Sequence, residues 1–76
     1  MATIVKHAIG EHDYVALTEA IDKNESVGIW PAGTRGTVIS DFGDHKMIDV
    51  ANEQGETLDM PVVPVEKLKL IAAKHS

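Results

Sequence analysis

The residues of this 76-residue chain whose types and spacing could do chemistry are few: Gly33 and Gly36, the neighbours His12-Asp13 and Asp44-His45, and the serines Ser26 and Ser40. Two glycines three residues apart could wrap backbone around a phosphate. An imidazole beside a carboxylate could hold a divalent cation, and a serine held by an oriented base could act as a nucleophile. Their surroundings argue against all three. A phosphate loop leads from glycine-rich backbone into a helix N-terminus, often with a Lys-Ser or Lys-Thr pair. Gly33 and Gly36 lead instead into Thr37-Val38-Ile39, a β-branched run suited to a strand. Residues adjacent on a strand point to opposite faces, so neither His–Asp pair is a natural chelate. Without cysteine, the four histidines do not make the usual tetrahedral zinc site either. Ser26 and Ser40 lack a G-x-S-x-G setting, and paired catalytic carboxylates need a deeper cleft than so small a domain provides. The expectation is a non-enzymatic chain with no catalytic residue, no metal ligands and no cofactor.

Charge is the stronger signal. The net charge is −5, and residues 11–26 carry Glu11, Asp13, Glu19, Asp22 and Glu25 against Lys23. Residues 41–59 carry Asp41, Asp44, Asp49, Glu53, Glu56 and Asp59 against Lys46. Such a surface repels phosphate backbones, so no nucleic-acid partner is expected. It keeps the chain soluble, or it forms an acidic face for a basic protein. Trp30, Asp41 and Asp44 are the candidate partner contacts. Trp30 has two readings, an exposed hot-spot residue or a lid over the open end of a small core. With three aromatic residues in all, Tyr14, Trp30 and Phe42, a stacked groove for proline-rich peptides has little support. No apolar run reaches the roughly 18 residues of a membrane span, so no membrane partner is expected. The start lacks the pattern of a signal peptide, and the lack of cysteine suits a reducing cytoplasm.

The elements that would position these residues are short strands. Residues 12–18 alternate around Val15 and Leu17. Residues 19–29 form a long excursion, in which 19–23 could make a helical turn. Trp30-Pro31-Ala32-Gly33 suits a type I turn with Pro31 second and Gly33 fourth. Residues 37–40 and 46–50 read as strands around the turn Asp41-Phe42-Gly43-Asp44, and Asn52-Glu53-Gln54-Gly55 turns the chain again. The run 57–63 contains Pro61 and stops at Pro64, which confines it to an edge or bends it. From Pro64 a short helical turn followed by a strand competes with one helix over 64–74. Five or so short strands with a long first excursion describe an all-β, SH3-like barrel with a helical turn near the C-terminus. In it, Gly36 would let its strand coil closely against a neighbour. The expected core is Val15, Leu17, Val38, Ile48, Val50, Leu68 and Leu70, plugged by Ile21.

Three elements in order, D-x-V-A-L at Asp13–Leu17, G-x-x-G-T-V at Gly33–Val38 and V-x-x-x-x-G-x-T at Val50–Thr57, resemble a family of small bacterial domains of unknown function. The resemblance spans about residues 12–71. It implies an SH3-like barrel and a gene neighbourhood of toxin-like proteins, with no catalytic residue or cofactor; Ser40 departs from it, where an acid is common. The chain is thus divided into an N-terminal extension, 1–11, and a barrel, 12–76. The leading expectation is an interaction module that neutralises or adapts a basic partner protein. The alternative is a self-associating accessory subunit. Residues 3–9 alternate without a cleanly polar side and are expected to add to a sheet edge, their own or a neighbour's, the latter giving a homo-oligomer.

Overall fold

The computed structural model describes residues 9–73. The strand expected over residues 3–9 therefore lies outside the described residues, apart from Ile9, which packs against the core. In chain order the strands are β1 (Tyr14–Leu17), β2 (Ile21–Asp22), β3 (Ile29–Trp30), β4 (Arg35–Asp41), β5 (His45–Ala51), β6 (Thr57–Asp59), β7 (Val62–Pro64) and β8 (Leu68–Ala72). A 3-10 turn, Val65–Lys67, separates the last two. The main sheet is antiparallel in the order β6-β5-β4-β1-β8, with β7 also on β5, and β2 and β3 form a separate hairpin. The fold is all-β and barrel-like, and among the described residues the 3-10 turn and β8 stand in place of the competing helix over 64–74.

Gly36 faces Val15 on β1. A Cβ there would overlap Ile48 Cγ2 and stand 2.7 Å from the Asp49 carbonyl oxygen. Only hydrogen fits, and that permits β4 to lie against β5 with the curvature a closed sheet needs. The preceding reversal comes one residue later than the proline spacing suggests. The Thr34 amide donates to the Pro31 carbonyl at 3.1 Å, so Gly33 is the third turn residue. Its φ of 91° is the left-handed value that a type II turn requires there. The helical turn considered at 19–23 is also absent. Ile21 and Asp22 are extended and pair with Trp30 and Ile29.

Val15, Leu17, Val38, Ile48, Val50, Val63 and Leu68 form the core, and Ile21 and Trp30 pack on it partly buried. Leu70, expected inside, is half-buried, because among the described residues β8 is the last strand of the sheet and pairs only with β1. Val63 takes its place. Pro61 still accepts the Ile48 amide at 2.9 Å, and the register on β5 runs on to set Val63 opposite Lys46, facing inward like Asp59. Strict alternation in β1 also fails, since Ala16 is buried beside Val15 and Leu17. Its cross-strand partners are Arg35 and Lys69, whose long stems can cover a methyl group.

Candidate interaction site

Between β1 and β4 the chain makes its long excursion, and one buried carboxylate fixes it. Asp59, on β6, is 2 % exposed. It accepts hydrogen bonds from Trp30 Nε1 at 2.8 Å, the Asn24 amide at 2.8 Å and the Glu25 amide at 3.1 Å. Burial pushes its pKa up. The hydrogen bonds from Asn24, Trp30, Met60 and Glu25 outweigh that and hold it below the ordinary carboxylate value. Trp30 is consequently a lid. Its indole is half-buried against the core, its N–H is taken by Asp59, and Lys23 Nζ stands 4.5 Å from the ring centroid. Its polar atom and one ring face are thus in contact with Asp59 and Lys23 of the same chain.

Asp41 and Asp44 sit at the β4–β5 hairpin but have different tasks. Asp41 accepts from the buried Lys46 ammonium and from the Gly43 amide at 2.8 Å. The Lys46 hydrogen bond is the main reason that its pKa is lowered. The same ammonium donates to the Gly43 carbonyl at 2.8 Å. Asp41 thus neutralises a buried cation and shapes the turn, which leaves less of its charge for a partner. The Asp44 carboxylate is exposed, lies 2.9 Å from His45 Nδ1, and is held low chiefly by that hydrogen bond. Its carbonyl accepts the Val65 amide at 2.8 Å, tying the hairpin to the 3-10 turn. Trp30, Asp41 and Asp44 are therefore separate features with local structural roles.

An open groove of about 380 Å³ runs between the β2–β3 hairpin and the corner at Pro64 and Lys67, lined by Ile21, Asp22, Ile29 and Val62. Composition pointed to none of it, since each residue looks ordinary alone. Of its described lining, Asp22 alone is one of the acids of the stretch 11–26, while Glu66 and Lys67 fall in a C-terminal part where lysines outnumber acids. The lining holds one cation among the described residues, Lys67, which stands 3.7 Å from Glu19. Among the described residues no three His, Cys, Asp or Glu side chains gather as metal ligands, and no helix is long and apolar enough to cross a membrane.

Residues 11–70 match the model of a family described as a domain of unknown function (DUF4926). No curated protein and no solved structure matches the chain.

Proposed function

We propose that this chain, which belongs to the DUF4926 family, is a non-enzymatic protein-interaction module that takes up a basic partner protein and neutralises or adapts it. The disposition of charge carries this reading. Asp22, Glu25, Glu53, Glu56 and Glu66 stand exposed on loops and corners. Three nearby lysines already have internal neighbours: Lys23 over Trp30, Lys46 on Asp41 and Lys67 beside Glu19. A field of one sign steers an oppositely charged protein and rejects like-charged competitors. We read the strand order, with its long excursion after β1 and a 3-10 turn before β8, as that of an SH3-like barrel. In this reading the loops carry recognition and the sheet supplies rigidity. The cytoplasm is the proposed setting.

Capture of partners from an extract of the native host tests the proposal. Basic proteins should be retained at low salt and released as salt rises, because exposed charge pairs are screened. Retention of acidic proteins, or retention indifferent to salt, would refute it.

One feature favours self-association as the second reading. Among the described residues β8 pairs only with β1, and its sequence Leu-Lys-Leu-Ile-Ala contains no proline to block its outer edge. Residues 3–9 of a neighbouring copy are the proposed addition. Light scattering after size exclusion should then give a mass above 8.2 kDa, and a monomer at high micromolar concentration would refute it.

A further inference from the structure

We propose that the outward row Leu58, Met60, Val62 and Pro64, continued by Ile29 across the groove, is the docking surface for a basic amphipathic helix of a partner protein. This rests on the reading of the chain as an interaction module and names the surface and the partner's chemistry. From Leu58 to Val63 the chain alternates regularly. Asp59, Pro61 and Val63 are buried, while Leu58, Met60 and Val62 are 52 %, 38 % and 48 % exposed, and Ile29 is 60 % exposed. Single exposed apolar side chains are ordinary, but a row that runs into a groove marks an interaction site.

The occupant's conformation follows from the backbone. Pro61 turns its carbonyl toward β5, where it accepts the Ile48 amide, whereas Pro64 lacks the N–H that the outer edge would offer, so this margin gives another strand an incomplete ladder. A ligand seated here must satisfy its own backbone groups, as a helix does. Its charge follows from the rim. Asp22 and Lys67 line the groove, and Lys67 has Glu19 at 3.7 Å. Glu66 lies in the 3-10 turn beside Lys67, and the Glu25 amide is anchored on Asp59 beside the row, so acids outnumber the one cation of that lining. A second copy would bring the same carboxylates and its own net charge of −5 to the contact, and like charges opposed across an interface are costly. Leucine-like side chains on the row with Lys or Arg reaching the rim fit both constraints.

The test uses isotope-labelled full-length chain and two synthetic amphipathic helical peptides of one pattern, leucine–lysine and leucine–glutamate. The lysine peptide should bind with amide shifts concentrated at Asp22, Glu25, Ile29 and residues 56–64. L58S/V62S should weaken it by about tenfold or more, as loss of central apolar anchors does. F42S/I71S, which removes exposed apolar side chains elsewhere, should change it by less than about twofold. Native Trp30 fluorescence checks that each variant is folded. Equal losses in the two double variants, shifts centred elsewhere, or equal binding of the glutamate peptide would overturn the proposal. In the extract experiment, a basic partner still held by L58S/V62S overturns this surface and leaves the interaction-module reading standing. Failure of the unaltered chain to hold any salt-sensitive partner overturns that reading instead, and the peptide titration then decides the surface separately.

Discussion

Asp59→Ala should remove much of the stability of this domain, because three donors from the excursion converge on that one carboxylate. Hydrogen bonds to a charged group contribute about 1.5–3 kcal/mol each. Their sum is an upper bound, since the excursion can open and give Asn24, Glu25 and Trp30 to water. A loss of about 3–5 kcal/mol is the expectation, comparable to breaking a buried charged network. A domain of this length holds about 4–11 kcal/mol at ~0.05–0.15 kcal/mol per residue, so the variant stands near the edge of folding. Asp59→Asn keeps the shape and one acceptor but turns an NH2 toward donors, and should cost about 2–3 kcal/mol. Trp30→Phe isolates one bond, because it deletes Nε1–H and keeps most of the apolar lid. In a double-mutant cycle by urea denaturation, followed by circular dichroism, Asp59→Asn and Trp30→Phe should couple by about 1–3 kcal/mol. Trp30 is the only tryptophan, so its emission in Asp59→Ala should also shift to the red. A loss below about 1 kcal/mol in Asp59→Ala, or strictly additive cycle energies, would refute the view that this carboxylate fixes the excursion.

The pKa of Asp59 is lowered on folding, so its contribution is present above the unfolded-state pKa near 3.8 and is lost as pH falls through the lower folded value; a thermal-melt series in acid should show a shallower decline for Asp59→Asn. Gly36→Ala should destabilise by about 1–3 kcal/mol, and adding Ile48→Ala should not restore it in chemical denaturation, because the Asp49 carbonyl still obstructs the new Cβ. His12 has a φ of 73°, so His12→Gly should leave stability unchanged or raise it by up to about 1 kcal/mol, whereas His12→Val should lower it by about 1 kcal/mol or more in the same assay. Asp41→Ala should depress the melting temperature more than Asp44→Ala, because it strands the buried Lys46 ammonium; equal melts would contradict that role.

What the sequence made legible is what depends on short range. β-branched runs, alternation over 46–50 and glycines at tight reversals locate β4, β5 and their turns, because those signals lie within a few residues. Gly36 is legible for the same reason, as a glycine inside a strand pattern. The errors come from contacts between distant residues. Asp59 lies 35 residues from Asn24 and reads as one more acid in a long acidic stretch, so its burial has no local sign. Val63 turns inward because the register on β5 that sets Asp59 opposite Val50 continues through Pro61 and sets Val63 opposite Lys46. The row at Leu58, Met60 and Val62 was hidden similarly. A strand with apolar residues at nearly every position does not reveal which alternate set faces outward until a buried Asp59 fixes the phase.

That phase links stability to the proposed docking. Turning Asp59 inward gives the excursion its anchor, and the pleat then sends Leu58 and Met60 outward. A one-residue slip of this stretch would bury the two apolar side chains and expose the carboxylate. It would also leave the amides of Asn24 and Glu25 and the indole N–H without their acceptor. The three hydrogen bonds and the burial of Val63 therefore hold this register together. With Asp59 and Val63 both facing inward, Leu58, Met60 and Val62 are left as an exposed apolar row, which suits the proposed surface that meets a partner.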